Sequence, residues 1–127
     1  MKTKLILMTL TVAVTIGSIT ASANDASSDA VMKQKLLGYW SSPRHEYLYK
    51  QDGLRYMVGG TTTSRWDVRG GVYYEGTKPY DIVSFSPETF VYRSRESSKV
   101  TFTIKRCSEA DIAKMREFYA DWMNQHE

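Results

Sequence analysis

Between Gly38 and Arg106 the chain divides into eight short segments rich in β-branched and aromatic residues, each bounded by turn formers. The predicted strands are Tyr39–Ser42, Glu46–Gln51, Leu54–Val58, Ser64–Arg69, Val72–Glu75, Tyr80–Phe85, Thr89–Arg95 and Lys99–Arg106. The punctuation between them is Ser42-Pro43, Asp52-Gly53, Gly59-Gly60, Gly70-Gly71, Gly76 to Pro79, Ser86-Pro87 and Ser97-Ser98. A parallel crossover needs about a dozen residues, and none of these links is that long. Each strand must therefore run back beside its predecessor, as an antiparallel meander. Alternation adds the second constraint. Leu54, Tyr56 and Val58 alternate with Arg55 and Met57; Trp66 and Val68 with Arg65, Asp67 and Arg69; Val100, Phe102 and Ile104 with Thr101, Thr103 and Lys105. One face is packed and one is wet, and closure of eight such strands into a barrel also removes the exposed edges.

What flanks this region has a different texture. Met1 to Lys4 is basic, Leu5 to Ile19 is largely apolar, and Ala21-Ser22-Ala23 has the small-x-small form of a signal-peptidase site. Residues 1–23 thus read as a signal peptide cleaved after Ala23, which predicts a periplasmic or secreted protein with no stable membrane anchor after cleavage. The formal charge of +3 includes Lys2 and Lys4 and falls to +1 without them, so the case for nucleic acid weakens. Residues 24–37 read as a flexible polar leader and a short helix, Val31 to Leu37, capped by Asp29 and ended by Gly38. The barrel occupies 38–107. In 108–127, Ser108 to Asp111 resembles a capping box, and Ile112, Met115, Tyr119 and Trp122 recur at helical spacing, with Phe118 and Met123 widening the stripe. This predicts an amphipathic helix docked on the barrel. A lone Cys107 allows no internal disulfide and reads as a small buried hydrophobe at a strand end.

Gly38-Tyr39-Trp40 opens the meander, followed by Tyr47 to Gly53, a strand carrying Trp66, and a Lys105-Arg106 finish. This pattern resembles the lipocalin and calycin superfamily, in particular small bacterial lipocalin-like domains, over about residues 36–107. The resemblance implies an all-β, eight-stranded antiparallel up-and-down barrel with Trp40 at its closed end and Arg106 packed across the indole. Gly38, Trp40 and Arg106 then form a structural signature. A guanidinium over an indole is worth about 0.5–2 kcal/mol, and its N–H groups can tie down free carbonyls of the incoming chain.

Nine Tyr, three Trp and four Phe all lie beyond Gly38. Tyr56, Trp66, Tyr74, Tyr80, Tyr92 and Phe102 are the candidate inward residues that would bind a ligand, with Thr61 to Thr63 offering polar contacts at the mouth. Phe90 is a further inward candidate. Tyr73 and Tyr74, and likewise Ile82 and Val83, fit either register. No catalytic motif appears, and Arg44-His45-Glu46 reads as a solvated turn rather than a metal site. No cofactor is expected. Basic strand residues are interspersed with Asp67, Glu75, Asp81, Glu88 and Glu96, a mixed solvated surface rather than a nucleic-acid face. The expectation is a non-enzymatic exported barrel, monomeric or weakly dimeric, binding a small apolar or amphipathic ligand. The alternative is a filled barrel serving as a protein-binding module of the envelope, such as a protease inhibitor or accessory factor.

Overall fold

The computed structural model describes residues 26–97 and 99–127. The expected signal peptide at 1–23 with its cleavage after Ala23, and Asn24 and Asp25 of the expected leader, lie outside them. Element order is α1 (Ala26–Leu36), β1 (Gly38–Ser41), β2 (Glu46–Tyr49), β3 (Leu54–Met57), β4 (Thr63–Arg69), β5 (Val72–Glu75), β6 (Lys78–Phe85), β7 (Thr89–Ser94), β8 (Thr101–Arg106) and α2 (Glu109–His126). All eight strands pair antiparallel with their chain neighbours, and β8 returns to β1 to close the barrel. The β4–β5 link shows how sequence sets this course. Gly70 and Gly71 adopt φ of 60° and 76°, the two left-handed residues that a two-residue hairpin turn requires.

Alternation fills the lower barrel. Trp40, Tyr49, Trp66, Val68, Tyr73, Phe90 and Ile104 share one buried cluster with Leu36 from α1, and Met32 and Leu37 pack against it. Tyr73 is the hub, with ring centroids 5.0 Å from Phe90 and 4.8 Å from Tyr92. Edge-on contacts of this kind add to the gain from burying the rings.

At this end Arg106 lies over Trp40, its guanidinium carbon 4.3 Å from the ring centroid. Its N–H groups donate to Leu37 O at 2.9 Å, to Pro87 O at 2.8 Å and to Lys35 O. Trp40 Nε1 donates to Leu36 O at 2.8 Å. Helix α1 is thus fastened by its own C-terminal carbonyls, which have no partner within the helix. Gly38 makes the close approach: its φ is +112°, and a Cβ there would lie 3.1 Å from Arg106 Nη1.

Two details of the flanking helices depart from the sequence expectation. α1 begins at Ala26, so Asp29 lies within it rather than capping it. The Asp29 carboxylate accepts instead from the main-chain N–H groups of Gly70 and Gly71, at 2.6 and 3.0 Å. α2 carries the expected capping box at Ser108 and Asp111 and buries Met115 and Met123 against Tyr39, Leu48, Val58 and Cys107. It is kinked at Tyr119, however, whose φ and ψ are −129° and 30°. The kink lays the Tyr119 ring on Gly59, where a Cβ would meet it at 2.5 Å. Phe118, expected on the buried stripe, lies beside that break and is 73% exposed.

Candidate functional site

The strands that α2 covers are apolar on both faces, and this decides what points inward. Leu48, Tyr56 and Val58 face out beneath the helix. Tyr47, Tyr49 and Arg55 are therefore left to face in, with Tyr47 and Tyr49 joining the interior cluster. On β5 the inward residues are Tyr73 and Glu75, since Tyr74 packs outside under the Arg69 guanidinium at 4.1 Å.

These side chains form one polar knot at mid-barrel. Arg55 Nη1 donates to Glu75 Oε2 at 2.7 Å. The same oxygen accepts from Tyr73 Oη at 2.8 Å and Tyr92 Oη at 3.1 Å, and Tyr49 Oη lies 2.7 Å from Tyr73 Oη. The Arg55 guanidinium also lies 4.4 Å over the Tyr47 ring. Burial opposes the Arg55 charge, but the oxygens of Tyr49, Glu75 and Tyr73 outweigh it and hold its pKa above the ordinary guanidinium value. Burial pushes the Tyr49 phenol up to about 12. It raises Tyr73 and Tyr92 as well, with Tyr49 and Glu75 adding to the shift. At neutral pH the knot is one ion pair and three protonated phenols.

Above it opens a cavity of about 620 Å³. Glu75, Arg55 and Tyr92 form its floor, Phe102 and Ile104 an apolar wall, and the loop Ser42 to His45 its rim. The Tyr92 and Phe102 rings stack at 5.3 Å, and Phe102 is 41% exposed. A guanidinium carries five N–H donors, and Glu75 takes one bond from Arg55. Among the described residues no side-chain nitrogen or oxygen shut off from solvent lacks a partner. The Arg55 side chain, also against the Tyr49 hydroxyl, is 16% exposed and lines the cavity.

Of the six side chains expected to line a ligand site, Tyr92 and Phe102 line this cavity. Tyr80 packs behind them, 5.2 and 5.9 Å from their centroids. Trp66 belongs to the filled lower core, its indole N–H shared between Lys50 O and Leu54 O. Tyr56 and Tyr74 are corrections. Tyr56 lies outside against Trp122 and His126, at 6.3 and 5.0 Å, because α2 needs an apolar strand face to dock on. Tyr74 takes the outer side because Tyr73 takes the inner one. Thr61, Thr62 and Thr63 are exposed and line no part of the cavity. Arg55 and Glu75 are further corrections: the sequence places Arg55 on the wet face of its strand and Glu75 on a mixed solvated surface, whereas they pair with each other and are only 16% exposed.

Among the described residues no group of His, Cys, Asp and Glu is placed to hold a metal ion, and no helix is long and apolar enough to cross a membrane. Comparison with protein-family models, with curated proteins and with solved structures finds no match to this chain. The function must be argued from the site.

Proposed function

We propose that this chain is an exported, non-enzymatic, lipocalin-like barrel that binds a small amphipathic molecule in its mouth cavity. The observation that carries this reading is the Arg55–Glu75 pair lining one cavity together with the apolar side chains of Phe102, Tyr92 and Ile104. Small-molecule sites are concave, mostly apolar and furnished with a few placed polar groups, and about 620 Å³ lies within their usual range. The filled lower barrel supports a ligand held at the mouth rather than threaded through the interior. Membership of the calycin superfamily, a signal peptide cleaved after Ala23, and a monomeric or weakly dimeric state free of nucleic acid belong to the same proposal. The Gly38, Trp40 and Arg106 arrangement supports the family reading.

Titration with anilinonaphthalene sulfonate, displaced by dodecanoate, tests the proposal. Saturable one-to-one binding at micromolar concentration is expected, weakened at least tenfold by Arg55→Met. Fluorescence that never saturates, or is indifferent to Arg55, would falsify it.

A further inference from the structure

The barrel seam is shorter than the strands it joins. β8 pairs with β7 from Thr101 to Lys105, but with β1 only at Lys105 and Arg106. Above those two pairs β1 has ended, and the chain turns into the loop Ser42 to His45. That loop bonds to itself: Ser42 N–H donates to His45 O, and Ser42 Oγ accepts from the N–H groups of Arg44 and His45.

Strand alternation identifies the groups left over. Arg106 N–H donates to Glu88 O on the β7 side, and Cys107 N–H donates to Tyr39 O on the β1 side. Odd-numbered residues of β8 therefore aim their main-chain N–H and C=O groups toward β1, and even-numbered ones toward β7. Ser94 N–H donating to Val100 O fits the same count. Thr101 and Thr103 thus direct two N–H and two C=O groups into the gap, and no hydrogen bond among the described residues reaches them there. Both residues are exposed on the outer surface yet line the mouth cavity, as main chain aimed into it would.

We propose that this gap is a strand-addition site, in which a short extended peptide pairs with Thr101 and Thr103 and sends a central acidic side chain toward Arg55. The inference rests on the mouth cavity being a ligand site and names the ligand's class. The complement of an unpaired strand edge is another backbone, and main-chain bonds then supply affinity while alternate side chains supply specificity. Peptide residues opposite Thr101 and Thr103 share their outward direction. The residue between them lies opposite Phe102 and points in. It enters a cavity lined by Arg44, Arg55 and His45 against the single carboxylate of Glu75, which favours an acidic side chain. A fatty chain would leave four main-chain groups bonded only to water.

The probe is the peptide acetyl-Thr-Val-Glu-Val-Thr-amide, followed by amide hydrogen exchange of the protein. In the free protein the Thr101 and Thr103 amides should exchange at least tenfold faster than those of Phe102 and Ile104. Peptide should slow the two threonines at least tenfold. Methylating both valine nitrogens of the peptide, or replacing its Glu by Lys, should weaken binding at least tenfold, as should Arg55→Gln in the protein. Unchanged exchange at Thr101 and Thr103, or equal binding of the methylated peptide, overturns the proposal. Saturable dodecanoate binding beside peptide failure overturns strand addition and leaves the amphiphile reading standing. Failure of both ligands overturns both.

Discussion

Each end of the barrel carries an arginine over an aromatic ring, and the two are used differently. At the closed end Arg106 lies over Trp40 and gives its N–H groups to three main-chain carbonyls. At the mouth Arg55 lies over Tyr47 and donates to the Glu75 carboxylate, both of them lining the cavity. The first guanidinium is consumed by the fold, joining α1, β1 and the β6–β7 link. The second is held at the cavity by Glu75 and the Tyr47 ring. A cation bonded to the carbonyls of three segments holds those segments together; one paired with a carboxylate at a cavity is placed to meet a ligand.

The largest effect that separates the two ends is a pH effect. Tyr49, Tyr73 and Tyr92 around the mouth knot keep their protons above pH 10, where the phenols of an unfolded chain lose theirs. Above that pH the folded state binds more protons than the unfolded one, so stability falls as pH rises. Each retained proton withdraws about 1.4 kcal/mol per pH unit, or about 4 kcal/mol per unit for the three together. Urea midpoints measured from pH 8 to 11 should fall steeply beyond 10, and Tyr73→Phe should flatten that slope. A midpoint indifferent to alkali would mean that the phenols are not buried as a group.

Next in size comes truncation of the ring at each end. Trp40→Ala should cost about 3–5 kcal/mol, because it opens a cavity in the filled end and removes the surface on which Arg106 rests. Phe102→Ala should cost only about 1 kcal/mol, since that ring is already partly in solvent. Equal losses in chemical denaturation would erase the distinction between a packed end and an open one.

The same contrast governs what the sequence discloses. The closed end is legible because it is local: Gly38, Trp40 and the Lys105-Arg106 finish occupy the first and last strands, and closing a meander brings those strands together. The eight strands are legible because their turns are short and punctuated. Inward parity is legible only where one face of a strand is wet. Trp66, Val68, Phe90, Tyr92 and Ile104 alternate with exposed or half-exposed residues, and their direction follows. Strands β2 and β3 lie beneath α2 and are covered on both sides, so Tyr56 reads as interior when it belongs to the helix interface. Arg55, the residue that most distinguishes the mouth, looks like a solvated position for the same reason. Tyr73 and Tyr74 offer two aromatic rings to one inward place. Glu75 decides between them, since its carboxylate gathers the hydroxyls of Tyr73 and Tyr92. The kink at Tyr119 has no local signal, because it answers to Gly59 in a distant hairpin.

The ion pair at the mouth offers a finer cut. Glu75→Leu leaves Arg55 and two phenols without their acceptor, and should cost about 2 kcal/mol. That is below the 3–5 kcal/mol of a fully enclosed pair, since both side chains remain 16% exposed. Adding Arg55→Met to the same protein should recover most of the loss, because replacing both partners by apolar groups removes the stranded charge. The double variant should be stable and yet lose ligand, separating the pair's role in recognition from its role in the fold. A double variant less stable than either single one would instead place the pair among the fasteners.

At Gly38 backbone conformation and a close contact act together. Its φ of +112° lies where side chains with a Cβ are disfavoured, and the left-handed region costs such residues about 1–2 kcal/mol. A Cβ would also stand 3.1 Å from Arg106 Nη1, a nitrogen at the end of a flexible side chain. The guanidinium can shift by a few tenths of an ångström, but only by stretching its bonds to Leu37 O and Lys35 O. Gly38→Ala should therefore lower stability by about 1–2 kcal/mol and loosen α1 in particular, detected as faster amide exchange over Met32 to Leu36. Ligand affinity at the mouth should stay within twofold, because Arg55 and Glu75 belong to β3 and β5, which Gly38 does not touch. Should the affinity fall in step with the stability, the two ends are coupled through the interior aromatic cluster, and the mouth is not an independent site.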